Sequence, residues 1–278
     1  MSEERFEFGK NWRAFLSTLS DDRIERSVDS LKRMLGVDTL AGKTFLDIGC
    51  GSGLFSLAAC KLGARVISID YDVDSVECAL LLREQYMPKS DDSQWKIQQG
   101  SVLDESLMES FGTHDIVYSW GVLHHTGEMD RAIDLAQGRV KPGGQLFISI
   151  YNDQGKASAR WLWIKQLYNR LPRFLRPPFV FVIASYYELK FAVARLIRGK
   201  NPLPLKDWKA RKLERGMSVW YDWVDWVGGL PFEVATPERI EQILSNHGFQ
   251  LERLETVGNG WGCNEFVFQS NPAIGAGV

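Results

Sequence analysis

Residues 45 to 53 read Phe-Leu-Asp-Ile-Gly-Cys-Gly-Ser-Gly, an apolar run that closes on an acid and then on three glycines set two apart. No other stretch of the chain restricts the fold so sharply. The run has the length of a buried strand, and glycine accepts positive φ and lets another group approach bare backbone. A strand that turns over Gly49, Gly51 and Gly53 and enters a helix at about Leu54 is the opening unit of a parallel α/β sheet. Dinucleotide loops want G-x-G-x-x-G, but position 54 is Leu, leaving G-x-G-x-G with Asp47 two residues upstream. The spacing favours S-adenosylmethionine over NAD.

Arg65-Val-Ile-Ser-Ile-Asp70 is a second apolar run, closing on an acid seventeen residues after Gly53. A carboxylate there can accept both hydroxyls of a ribose. Its other use is to cap the helix that follows. Strands and helices alternate up to residue 150, which predicts a parallel sheet with helices on both faces. Strands are expected near 44–48, 65–70, 95–99, 115–120 and 145–150. Two helices should precede them, near 11–18 and 22–35, the second capped by Ser20 or Asp21. Thr236-Pro237 is an N-cap followed by proline at the first helical position, and that helix should stop at Gly248. Strands near 250–257 and 264–269 then form an antiparallel hairpin at the sheet edge.

Five segments occur in order: Phe45 to Gly53, Ile69-Asp70-Tyr71-Asp72, Gly100-Ser-Val-Leu-Asp104, Asp115 to His125, and Val140-Lys-Pro-Gly-Gly-Gln-Leu-Phe147. Together they resemble the class I S-adenosylmethionine-dependent methyltransferases, over about residues 40 to 150 and the closing strands. The resemblance implies a Rossmann-like α/β fold with a seven-stranded, mostly parallel sheet whose last strand is antiparallel. It also implies S-adenosyl-L-methionine as the cofactor. The glycine loop (Asp47, Gly49, Gly51, Gly53) would hold the methionine part, Asp70 and Tyr71 the ribose, and Ser101 and Val102 the adenine. Trp120, with Gly121, ends the fourth strand and would wall the methyl site. The ubiquinone-pathway O-methyltransferases are the nearest likeness within the family, and a histidine of theirs matches His125. Some of them carry a glutamate just before it where this chain has His124, so no metal is expected.

A sulfonium methyl donor is already activated, so positioning is most of the catalysis. A base is needed when the acceptor is an alcohol. His124 and His125 follow the fourth strand, at the carboxyl edge where parallel sheets place their sites, and histidine titrates near neutrality. Adjacent side chains on a helical turn diverge by about 100°, so one of the two faces the acceptor, and His125 is the better candidate.

The 278 residues, 45% hydrophobic, can bury a large core. Four cysteines without C-x-x-C spacing and a charged Met-Ser-Glu-Glu-Arg start suit a cytoplasmic enzyme. The expected organisation is 1–40, helices covering the cofactor site; 41–150, the cofactor-binding core; 151–232, an inserted helical cap; and 233–278, completion of the sheet. The insert is unusually long for a connection. From Gly155 to Arg215 it holds fifteen Lys plus Arg against three acids, a balance of +12, which leaves the remainder at −14. Such asymmetry points to an anionic ligand, an anionic membrane surface or nucleic acid, or else to a solvated basic face. Phe179 to Ile197 contains only three charges. Glu188 and Lys190 argue against a spanning helix, which leaves a helix in the membrane interface or one packed on the domain or on another subunit.

Tryptophans recur every third residue at Trp220, Trp223 and Trp226, with Asp222 and Asp225 at the same spacing. These rings and acids, with Tyr151 and with Trp261 in its glycine-rich loop, are the substrate-binding candidates. The tryptophans serve equally to weld the cap to the domain. Base methylation in nucleic acid is disfavoured. Ser119-Trp-Gly-Val-Leu stands where an Asp/Asn-Pro-Pro-aromatic motif would be, and no Pro-Cys nucleophile occurs. Stacking of single-stranded RNA on tryptophan stays open, as does a non-enzymatic partner protein. The expected function is methyl transfer to a small-molecule hydroxyl, with sulfur and nitrogen acceptors as alternatives.

Overall fold

The first strand, β1 (Thr44–Ile48), lies at the centre of the sheet, and its alternate side chains go to opposite layers. Phe45 joins one core with Ile116, Tyr118, Phe147 and Val267, while Leu46 and Ile48 join the other with Val117, Leu146, Ile148 and Ile150. In the computed structural model, which describes residues 19–89, 92–199, 201–202 and 219–272, seven strands form one sheet in the order β3-β2-β1-β4-β5-β7-β6. The remaining strands are β2 (Arg65–Asp70), β3 (Trp95–Gln99), β4 (His114–Trp120), β5 (Val140–Tyr151), β6 (Phe249–Glu255) and β7 (Cys263–Ser270).

Strands β1 to β5 are parallel, with β1 and β2 in register from Thr44↔Arg65 to Ile48↔Ile69. Strand β7 runs antiparallel between β5 and β6. The hairpin therefore joins the sheet through its second strand and leaves β6 at the edge. At the amino end of the sheet, Asp115 accepts from the Thr44 N–H, the Thr44 hydroxyl and Lys141 Nζ at 2.8–2.9 Å. Burial alone would raise its pKa, but these bonds hold the carboxyl well below the usual range, so β1, β4 and β5 are stapled by a charged group.

Helix α1 (Asp21–Leu35) starts after extended Ser20, with Asp21 and Asp22 in its first turn, and ends at left-handed Gly36. Ile24, Leu31, Met34 and Leu35 pack into the second core against α2 (Leu54–Lys61), so α1 is a layer of the sheet's own cover. The helix expected near 11–18 lies outside the described residues. Helices α3 (Val73–Tyr86), α4 (Glu105–Ser110) and α5 (Met129–Gln137) complete the crossovers.

The insert forms α6 (Lys156–Arg170), α7 (Arg176–Ile197) and α8 (Val219–Gly228), and α9 (Pro237–Asn246) returns the chain to β6. Thr236 caps α9 as its sequence predicts, accepting from the Arg239 N–H. The cap has its own apolar core: Trp161, Ile164, Tyr168, Val180, Tyr187, Trp223 and Val227, with Trp261 packed against it from the β6–β7 loop. Among the described residues no helix is long and apolar enough to cross a membrane.

Candidate functional site

Gly49, Gly51 and Gly53 all have positive φ, at 75°, 53° and 80°, so the loop after β1 needs glycine at each. Packing adds a second reason at two of them. A Cβ on Gly49 would lie 2.3 Å from the Val122 side chain, and one on Gly53 would lie 2.9 Å from Ala79. Gly53 leads into α2 with no side chain capping it, so the first-turn N–H groups of that helix remain available to an anionic group.

Asp70 ends β2 beside this loop. One oxygen accepts from the Gly51 N–H and the other from the Asp72 N–H, each at 2.9 Å. Asp70 is therefore not the cap of α3: that role belongs to Asp72, which accepts from the Asp74 N–H. Burial pushes the Asp70 carboxyl up to about 6, against the opposing pull of the Asp72 and Gly51 N–H groups. Both oxygens are oriented by backbone, and each keeps a second acceptor site. Two hydroxyls of a ribose fit such a group, and the carboxylate of a methionine moiety fits the uncapped helix start. On this geometry the chain suits the expected S-adenosyl-L-methionine.

Asp47 is placed differently from its expected role. It is buried beneath the loop, where its carboxylate accepts from Ser56 Oγ at 2.5 Å; Ser56 in turn bonds Ser68, which takes the Trp95 indole N–H at 2.8 Å. Burial drives this acid up to about 7, against the Ser56 bond and with help from Asp70. Its side chain is buried and braces the loop from below through Ser56.

Of the adenine candidates, Ser101 closes a turn by accepting from the Leu103 N–H, and Val102 sends its side chain into the first core. Only the Val102 backbone is left for a ligand. Tyr71 stands exposed at the rim, its carbonyl accepting from Gln99 Nε2. Trp120 is held towards β7 by its indole N–H, which donates to Glu265 Oε1 at 3.1 Å.

A 3₁₀ turn, Leu123–His125, follows β4 and separates the two histidines. His124 is fully buried, with its ring centroid 4.0 Å from that of Tyr151. Neither of its nitrogens has a partner of hydrogen-bonding geometry among the described residues. Burial, then His125 and Lys165, push its pKa well down, with only the Ser149 backbone acting the other way. A neutral ring in this position is packing for Tyr151, out of reach of an arriving acceptor, and the expected catalytic role does not suit it.

His125 is half-buried, and its Nδ1 lies 2.6 Å from the Pro231 carbonyl oxygen. A carbonyl can only accept, so Nδ1 carries the proton, which in a neutral imidazole makes Nε2 the basic nitrogen. The strap that supplies Pro231 is clamped on both sides. The Glu233 N–H donates to the His124 carbonyl at 3.0 Å, and the Glu233 carboxylate accepts from the Met129 N–H at 3.0 Å.

Tyr151 connects these histidines to the cap. Its ring lies 5.3 Å from His125, 5.6 Å from Trp226 and 5.4 Å from Phe232. A small cleft opens beside it at the carboxyl tip of β5, lined by Tyr151, Asn152, Gln154, Trp226, Phe232 and Trp261. Trp261 stacks on Trp226 at 5.9 Å and meets Trp161 edge-on at 5.2 Å. Trp220 does not join this wall: it is 40% exposed where Trp223 is 6% exposed. Spacing of three falls about 60° short of a full turn at each step, enough to carry Trp220 off the buried face. Asp222 and Asp225 lie on α8 with side chains outside the described set.

Several site residues were not among the sequence candidates. Asn152 reaches the carbonyls of Gly258 and Gly260, and Gln154 reaches that of Asn259, so together they fix the loop that carries Trp261. Their position just after an expected strand end was a usable signal. Pro231 and buried Lys165, whose Nζ donates to the Trp226 carbonyl at 2.6 Å, had no signal in the sequence.

A family model described as a methyltransferase domain matches residues 19–254. The ubiquinone biosynthesis O-methyltransferase of Brucella melitensis biotype 2 is 32% identical over 118 residues, 42% of this chain and 45% of that protein. Its counterpart in Coxiella burnetii is 32% identical over 147 residues, 50% of this chain and 60% of that one. The chain thus spans about half the length of the curated relatives it matches. Among solved structures, magnesium protoporphyrin IX methyltransferase from Synechocystis PCC 6803 with bound SAH has a TM-score of 0.52 at 14% identity, covering 90% of this chain and 83% of that chain. An O-methyltransferase family protein from Burkholderia thailandensis has a TM-score of 0.53 at 14% identity, covering 90% and 56%. At such identity the likeness is one of fold.

Proposed function

The chain belongs to the methyltransferase domain family, and from that premise we propose that it moves the methyl group of S-adenosyl-L-methionine to a hydroxyl oxygen of a small-molecule acceptor. The bound sulfonium supplies an activated methyl group. The residues of the chain hold, orient and deprotonate. Asp70 takes the ribose hydroxyls, the uncapped start of α2 takes the methionine carboxylate, and the ring wall of the cap shapes the acceptor side. His125 Nε2 accepts the hydroxyl proton, and Pro231, bonded to Nδ1, favours the imidazolium that results.

The single observation that carries this reading is the His125–Pro231 hydrogen bond, which selects the tautomer a base requires. The relatives named as O-methyltransferases support oxygen as the attacked atom. The test is an acceptor screen across phenols, quinols, other alcohols, thiols and amines, read as adenosylhomocysteine formation, with His125→Ala in parallel. A hydroxyl acceptor whose turnover collapses in the variant, at unchanged cofactor affinity, supports the proposal. Turnover confined to thiols or amines, or hydroxyl turnover that the variant keeps in full, overturns it.

A further inference from the structure

Helix α7 is apolar on both sides. Its inner side buries Val180 and Tyr187 in the cap core, with Ile183, Ala184 and Phe191 packed beside them. On the outer side Val182, Tyr186, Leu189, Val193 and Leu196 recur at steps of four and three residues, and all are exposed, Leu189 at 66%. Ile197, 81% exposed, and Phe174 in the preceding turn, 75% exposed, extend the stripe at both ends. A contiguous patch of this kind marks a surface that something covers.

Charge identifies what covers it. Residues 156–199 contain nine Lys and Arg and one acid, Glu188. Glu188 faces inwards and accepts from the Trp223 indole N–H at 3.2 Å. This segment therefore joins a bare apolar stripe to exposed Arg173 in the turn before the helix, Lys190 beside the stripe and Arg198 at the helix end, with no exposed carboxylate in residues 156–199. A second copy of the chain would set the same cationic surface against itself across a two-fold axis. RNA would satisfy the cations and leave the apolar stripe in water. A bilayer with anionic headgroups satisfies both at once: acyl chains take the stripe and phosphates take the arginines. We propose that the outer face of α7 and the turn before it dock this protein on an anionic lipid surface, with the helix lying in the interface plane.

Co-sedimentation of the full chain with vesicles tests this, using phosphatidylcholine alone and phosphatidylcholine containing phosphatidylglycerol. The bound fraction should rise about tenfold on the anionic vesicles and fall back about tenfold in Leu189→Asp/Leu196→Asp, with circular dichroism unchanged. Phe174→Ser, in the turn outside α7, gives a second reading should the double variant misfold. Equal partitioning on the two vesicle types, or variants that bind as well as the parent, overturns the proposal. So does a dimer in light scattering that the double variant dissolves, or a transfer-RNA pool that binds the parent and both variants alike while vesicles bind none of them.

Discussion

The two ends of the candidate site are built from different materials. The β1–β2 end is built from backbone: three glycines of one loop at positive φ, an uncapped helix start, and one carboxylate oriented by two N–H groups, all between Gly49 and Asp72. At the β4–β5 end the site is built from side chains of distant segments, His125, Tyr151, Trp226, Phe232 and Trp261, with one backbone carbonyl, that of Pro231, holding His125. A backbone site depends on the absence of Cβ atoms, so it fails at glycine. A side-chain site depends on ring packing, so it fails wherever a ring is lost. The first is suited to a constant cofactor, the second to a particular acceptor.

Removing the base should have the largest effect and leave the cofactor end intact. For His125→Ala we expect kcat to fall by about 10²–10⁴, with cofactor affinity unchanged by calorimetry. The cap should respond through stability. Trp223→Ala should cost about 3–5 kcal/mol in urea denaturation because the ring is buried in the cap core. Gly49→Ala tests the backbone end: the strained φ and the Val122 overlap together should cost about 2–4 kcal/mol.

Asp70→Ala should weaken cofactor binding by about 1–3 kcal/mol while leaving the cap's response to mutation unchanged. Acid should mimic that change. Asp70 is pushed up to about 6, so cofactor affinity should decline as pH falls through that value, and Asp70→Asn should flatten the profile. Folding stability runs the opposite way. Asp47 and Asp70 both have folded pKa values above the ordinary 3.8, so between about 4 and 7 the native state holds protons that the unfolded chain has released. Their contribution is present at low pH and is lost as pH rises through 6 and 7, so Asp47→Asn should reduce that loss in thermal melts. Smallest of all, Trp220→Ala should change stability by no more than about 0.5 kcal/mol, and a larger loss would place that ring in the wall after all.

The inner strands were legible because burial on both faces writes itself as short apolar runs; the edge strands β3 and β6, Trp-Lys-Ile-Gln-Gln and Phe-Gln-Leu-Glu-Arg-Leu-Glu, are more polar, and all seven lie near their expected places. The glycine loop was legible for the same reason that it works, since its conformation is local. The setting of Asp47 was not legible, because an acid beside a glycine loop and an acid bonded beneath it have the same neighbours in sequence; its bond to Ser56, and through it to Ser68, exists only in space. The histidine pair divided on similar grounds. Adjacency showed that the two rings diverge, whereas burial of His124 against Tyr151 and the bond from His125 to Pro231 depend on a strap 106 residues away.

Local chemistry was enough to specify the parallel sheet, its glycine loop and the acid at the end of β2, because each is written within a few residues through hydrophobic period and permitted φ. Tertiary packing alone decided which histidine meets the Pro231 carbonyl, which tryptophans form the wall, and which face of α7 is left to the outside. Those outcomes depend on side chains meeting across long separations, and no spacing in the chain records such meetings.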